Sequence, residues 1–367
     1  MSDTSRTRTI ALAAAGSGSL GIVGVAVTAY LVKNQARNLN QNIPRLKTAP
    51  PCEGTYGPRY RGTPIELALI GDSTAAGVGV KLAEQTPGAV LAHKLAQTLA
   101  RPVHLRCPAV PGARSAGLAE QVAALAKFPA DLVLIFIGAN DITHRIRPSV
   151  AVAHLEQAVA ALTTGGTRVV VGTCPDLSSL EGMPAPLRWF TQFWCRELAA
   201  AQTIAVVRAG ARTVSLADSL RAEFGSRPHE LFAEDRFHPS AAGYLRAVEA
   251  VLPSLIDVLG YAEDLAPEPS SRWFRIRVPR LGVRRLARAA VAAADTAGTE
   301  VTAAPQPADQ RGIWGELRNR VAEAVQLARQ QLPGRLSSGA VEGDTNSSVS
   351  DSQRPVEVVS HDNELIR

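Results

Sequence analysis

Aspartate and histidine stand three residues apart in Asp235-Arg236-Phe237-His238, a spacing that lets the two side chains meet around a single turn. A carboxylate that holds one imidazole nitrogen leaves the other to accept a proton. That is the general base a serine hydroxyl needs before it can attack near neutral pH. A serine suited to such a base stands in Gly71-Asp72-Ser73, where the apolar run Ile65-Glu66-Leu67-Ala68-Leu69-Ile70 stops abruptly. Two further segments carry donors that could steady a tetrahedral oxyanion together with the Ser73 N–H. Gly112, in Cys107-Pro108-Ala109-Val110-Pro111-Gly112, offers a backbone N–H with no side chain in the way. Asn140, in Gly138-Ala139-Asn140-Asp141, offers a side-chain amide. Taken singly, each segment also reads as an ordinary turn, with Asp72 or Ser73 capping the next helix.

The elements that would position these residues alternate along the chain. Ile65 to Ile70 reads as a buried strand delivering Ser73 to its C-terminal end, the edge where open α/β sheets do their chemistry. Thr86-Pro87 starts a helix with Val90, Leu91, Leu95 and Leu99 on one face. Val103 to Cys107 is a short strand, and Ala116 to Phe128 a helix with Leu118, Val122 and Leu125 in a buried stripe. Asp131 to Ile137 is a continuous β-type run, as a strand covered on both faces should be. Helix Pro148–Leu162, strand Arg168–Thr173, helix Leu187–Ala201 and a fifth strand Ile204–Val207 follow, with a long last helix after Pro239. This alternation predicts a three-layer α/β domain over 62–260, with a parallel sheet between helices.

Outside 62–260 the composition shifts. After a basic flank (1–9), residues 10–32 carry no charge, long enough to cross a hydrocarbon core as a helix or to serve as a signal sequence. Residues 33–61 read as a polar linker and 261–310 as a basic linker. Residues 311–332 read as an amphipathic helix and 333–367 as a disordered tail. The formal charge of +6 is local, because seven arginines and no acid fall between Arg272 and Arg288, and the remainder carries about −1. The core is therefore not a basic nucleic-acid binder. The arginine run, interleaved with Trp273 and Phe274, suits either an anionic surface such as acidic headgroups or plain solvent. No histidine or cysteine spacing indicates a metal site. Cys52, Cys107, Cys174 and Cys195 could form two disulfides in an exported domain, by any of three pairings, or stay as buried thiols.

Taken together and in this order, Gly71-Asp72-Ser73, Gly112, Gly138-Ala139-Asn140-Asp141 and Asp235-Arg236-Phe237-His238 resemble the four blocks of the SGNH (GDSL-type) esterase and lipase superfamily. The resemblance implies a flavodoxin-like five-stranded parallel sheet of order 2-1-3-4-5. It assigns Ser73 as nucleophile, His238 as base and Asp235 as orienting carboxylate, with Ser73, Gly112 and Asn140 forming the oxyanion hole. It implies hydrolysis of carboxylic esters of short or medium acyl chain, on a lipid or an envelope carbohydrate, through an acyl-enzyme and without a cofactor. Acyl transfer by the same triad and a non-catalytic, membrane-tethered binding module are the alternatives. Together with residues 10–32, it places the domain at a membrane or exported, on the extracytoplasmic side, although the flanking charges lean slightly the other way. The chain departs from the family pattern at Cys107, where asparagine is common, and at Thr74, where leucine is usual.

The remaining polar groups read as structural. Asp72 and Asp141 would fix turns, Asp176 would cap its loop, and His144 would be an exposed loop histidine. Trp189, Phe190, Phe193 and Trp194 fall at helical spacing and read as core, with a roof over an acyl pocket as the other choice.

Overall fold

The computed structural model describes residues 27–38, 46–216, 223–261, 274–278, 283–295 and 299–303. Contacts divide the chain into two units, Met1–Trp314 and Gly315–Arg367, and every described residue belongs to the first. The predicted amphipathic helix 311–332 and tail 333–367 lie outside the described residues, as does most of the uncharged run 10–32. Among the described residues no helix is long and apolar enough to cross a membrane.

Eight strands form one mixed sheet of order β1-β3-β2-β4-β5-β6-β8-β7. They are β1 (Gly54–Tyr56), β2 (Ile65–Gly71), β3 (Val103–Arg106), β4 (Leu132–Phe136), β5 (Arg168–Gly172), β6 (Arg212–Val214), β7 (Phe274–Val278) and β8 (Thr299–Ala303). The central five, β3-β2-β4-β5-β6, run parallel in the expected order. The expectation of only five strands is corrected at both edges. β1, from the segment read as a linker, pairs antiparallel with β3. β8 pairs antiparallel with β6, and β7 lies parallel to β8 beyond it. Arg212 helps to tie on this added edge, because its guanidinium meets both Asp257 and the buried Glu300 of β8. The basic stretch after residue 261 is thus partly sheet rather than linker.

Strand alternation sorts the core into two layers. Leu67, Leu69, Leu132 and Leu134 face one side, packed with α3 (Pro87–Leu99) and α8 (Ala241–Val258). Ala68, Ile70, Val133 and Ile135 face the other, against α4 (Leu118–Ala124), α6 (Pro148–Thr164) and α7 (Leu187–Arg208). Each fully buried leucine or isoleucine contributes about 1.5–3 kcal/mol, so this central block is the stable frame. The predicted fifth strand at Ile204–Val207 is instead the last turns of α7, and the true fifth strand is Arg212–Val214. Gln202, Thr203, Ala205, Val206 and Val207 are all buried along one long helix, so the apolar run continues a helical face rather than starting a strand.

The sheet edge that carries the site is shaped by Gly71. Its φ of 140° is open to glycine alone, and a Cβ there would lie 1.9 Å from the Phe136 carbonyl oxygen. β2 and β4 therefore end side by side, and the Asp72 N–H donates to the Phe136 carbonyl at 3.0 Å.

Candidate active site

Ser73 opens the short helix α2 (Ser73–Ala76) at the end of β2. Asp72 caps that helix by accepting from the Thr74 N–H at 2.9 Å. Gln121 of α4 grips the turn from behind, accepting from the Gly71 N–H at 2.6 Å and donating to the Gly71 carbonyl at 2.9 Å. On the far side, the Tyr244 hydroxyl donates to the Val78 carbonyl at 2.6 Å. The serine thus sits on a turn whose backbone is fixed by two distant helices.

The opposing turn is local. Asp235 Oδ1 accepts from the N–H groups of Phe237 and His238 at 3.0 and 2.9 Å, while Arg236 takes a left-handed φ of 54° to close the loop. Asp235 Oδ2 lies 2.6 Å from His238 Nδ1, and His238 Nε2 lies 3.0 Å from Ser73 Oγ. With Nδ1–H donating to the carboxylate, Nε2 is left as the acceptor facing the hydroxyl. The Phe237 ring meets the imidazole edge-on at 4.9 Å and limits its rotation. Ser73, Asp235 and His238 are all buried. Burial pushes the Asp235 carboxyl up, but the imidazole bond and the two N–H bonds outweigh it, so its pKa lies below the usual value. Asp72, buried and with one N–H bond to its carboxylate, is pushed up to about 6.

Ser73 and His238 line a cavity of about 70 Å³ whose walls include Phe136, Leu180, Leu216, Phe224 and Phe232. Asn140, on α5 (Ala139–Thr143), lines the same cavity. Gly112 does not border it, but its loop is tied to the Ser73 turn where the Val110 N–H donates to the Gly71 carbonyl at 3.2 Å. A wider, open cleft of about 620 Å³ adjoins the cavity at Phe232, with Lys81, Glu181, Glu234 and Arg236 on its walls.

The structural readings of the other polar groups largely hold. Asp141 accepts from both the N–H and the hydroxyl of Ser115, binding the Asn140 segment to the loop that carries Gly112. Asp176 accepts from the Ser178 N–H at 2.9 Å. His144 is exposed and bonds its own turn through the Asn140 carbonyl. The four aromatics of α7 are the exception. Trp189, Phe190, Phe193 and Trp194 are exposed, so they are neither core nor pocket roof. Reasoning from sequence also passed over Gln121 and Gln202. The latter accepts from the Cys174 N–H and donates to the Ile137 carbonyl, joining the ends of β4 and β5. A signal existed for Gln121, which falls on the same stripe as Leu118, Val122 and Leu125 and needed a buried partner.

A profile of the GDSL-like lipase/acylhydrolase family matches residues 69–246. A GDSL-like esterase of Mycobacterium tuberculosis is 39% identical over 275 residues, which cover 71% of this chain and 87% of that protein. Among solved structures, a lipase/acylhydrolase from Enterococcus faecalis is 20% identical with a TM-score of 0.43, covering 56% of this chain and 100% of its own. A structure named TesA is 24% identical with a TM-score of 0.43, covering 53% of this chain and 99% of its own.

Proposed function

The chain belongs to the GDSL-like lipase/acylhydrolase (SGNH) family and is a carboxylic ester hydrolase, and from that premise we propose that it works through an acyl-enzyme on Ser73. The observation that carries this reading is the continuous bond chain Asp235–His238–Ser73, at 2.6 and 3.0 Å, on the wall of a mainly apolar cavity. His238 Nε2 takes the hydroxyl proton as Ser73 Oγ bonds to the ester carbonyl carbon. Asp235 holds the imidazole in the tautomer that can do this and stabilises the cation that forms. The Ser73 and Gly112 N–H groups and the Asn140 amide receive the oxyanion. Collapse breaks the bond to the alcohol oxygen, which leaves with the proton from His238. Water, deprotonated by the same nitrogen, then releases the acid and restores Ser73.

A cavity of about 70 Å³ holds a short acyl group, while the alcohol portion faces the open cleft beside it. The choice between a lipid and an envelope-carbohydrate ester therefore falls to that cleft. The uncharged run 10–32 supports a site of action at a membrane, on its extracytoplasmic side. The test is hydrolysis of p-nitrophenyl acetate, butyrate and octanoate by the full chain and by Ser73→Ala. Acetate and butyrate should be preferred, and Ser73→Ala should lose about 10³-fold or more of kcat. Equal rates in both proteins would overturn the acyl-enzyme on Ser73. Acylated acceptor appearing in place of free acid would point to transfer instead.

A further inference from the structure

The four aromatics at the start of α7 lie outside the site, and the hydrolytic chemistry gives them no role. Trp189, Phe190, Phe193 and Trp194 occupy one face of its first two turns, with Trp189 63% and Phe193 59% exposed. A second helix, α1 (residues 27–38), docks where α7 begins. Gln35 donates to the Ala185 carbonyl at 2.9 Å and accepts from the Leu187 N–H at 3.1 Å, while Val32 and Ala36 pack on the buried cluster containing Leu187 and Cys195. Its other side leaves Val27, Leu31 and Tyr30 exposed, the last at 68%. Water is a poor partner for so many large apolar groups on two bonded helices.

We propose that the exposed aromatic face of α7, together with the outer side of α1, seats in the headgroup region of a phospholipid bilayer. Three observations favour lipid over another protein. Tryptophan and tyrosine are the side chains that settle at a bilayer interface, and this face presents two of the chain's four tryptophans and one tyrosine. The charge leans one way, since residues 27–38 and 187–197 contain Lys33, Arg37, Arg188 and Arg196 against the single acid Glu197, a balance that complements anionic headgroups. The uncharged sequence 10–32 runs directly into α1, so the medium suited to that run meets the chain at this helix. Leu177 and Leu180 wall the catalytic cavity and pack with Leu187 and Cys195 on the buried side of α7, so this one helix carries the cavity wall on one side and the aromatic face on the other.

The proposal is independent of the esterase mechanism and is tested by fluorescence. The full chain is reconstituted in vesicles of phosphatidylcholine and phosphatidylglycerol with brominated acyl chains, beside the variant Trp189→Phe/Trp194→Phe. The wild-type emission should be quenched and blue-shifted, and the double variant should lose that quenched component while hydrolysing p-nitrophenyl acetate at the wild-type rate. The remaining reporters are then Trp273 and Trp314. Quenching unchanged in the double variant, or absent from the wild type, overturns the proposal. Wild-type emission unquenched in particles that light scattering shows to be dimeric overturns it in favour of a second copy of this chain. Serine at Trp189 and Trp194 supplies the functional arm. It should slow hydrolysis of a vesicle-borne ester and leave the soluble ester unaffected, and equal slowing of both would also count against the bilayer.

Discussion

Replacing Asp72 by asparagine should make the protein more stable and less active. Asp72 is 1% exposed, and burial raises its pKa from 3.8 to about 6 even though its carboxylate accepts from the Thr74 N–H. The folded state therefore holds a proton more tightly at this group than the unfolded chain does. That favours folding at low pH, and the advantage is lost as pH rises from about 4 through about 6. Above pH 6 the buried charge costs about 3 kcal/mol, from roughly two pKa units at 1.36 kcal/mol each. Asparagine keeps an oxygen for the Thr74 N–H and carries no charge. Asp72→Asn should thus gain about 2–3 kcal/mol at pH 8, and the gain should shrink toward zero near pH 4. Urea denaturation at the two pH values, with the full chain in neutral detergent, would show this as a midpoint shift at constant slope. Activity should move the other way. The Asp72 charge interacts favourably with the His238 cation, so its removal should lower kcat. A variant no more stable than wild type at pH 8, or a gain equal at both pH values, would refute the burial argument.

The other expectations are simpler. Asp235→Asn should keep the fold but present a wrongly bonded imidazole to Ser73, lowering kcat on p-nitrophenyl acetate by about 10³–10⁴-fold at pH 7. A loss under tenfold would mean that Asp235 does not set the tautomer. Gly71→Ala should destabilise by about 3 kcal/mol or more, read as a fall in thermal midpoint, because its Cβ would strike the Phe136 carbonyl at 1.9 Å and its φ is 140°. A change under about 1 kcal/mol would mean that the turn yields, against the strain assigned to it. Oxidised glutathione should join Cys52 to Cys107 and Cys174 to Cys195, each pair giving up two protons and two electrons. Cys52 and Cys107 fall opposite one another when the β1–β3 register is extended, and Cys174 and Cys195 lie in one buried cluster. Peptide mapping that finds either of the other two pairings would contradict this geometry.

Four of the five central strands were legible because each announces itself locally, β6 being the exception. Leu132 to Phe136 is apolar throughout, and Ile65 to Gly71 ends on a glycine that no other residue can replace without a clash. The edge strands were not, for a different reason. Gly54–Tyr56 has only three residues and no apolar period, and it is a strand because β3 offers it an open edge. β8 depends in the same way on β6 and on the Arg212–Glu300 pair, contacts more than eighty residues apart in sequence. Ile204–Val207 misled because a short apolar run has no period of its own, and the helical face set by Cys195, Leu198, Ala199 and Gln202 decides it.

The same division runs through the site. Asp235 and His238 were readable from spacing because the whole of their turn is local, closed by bonds within Ala233–His238. Ser73 was readable because its turn is sterically forced. The residues that hold the serine in reach of the imidazole were not, since Gln121 and Tyr244 act from 50 and more than 160 positions away. Chemistry here is written in short motifs, whereas the 3.0 Å between Ser73 and His238 is set by packing. A substitution in the packing can therefore abolish turnover with every motif residue intact. Gln121→Leu is the sharpest case, because it leaves the Gly71 N–H buried without a partner beside Ser73, while the Gly71 carbonyl keeps the Val110 N–H. Its cost should be about 1–3 kcal/mol in stability, that of one orphaned buried group. It should also lower kcat more than it raises KM, because what loosens is the position of Ser73 and not the walls of the acyl cavity.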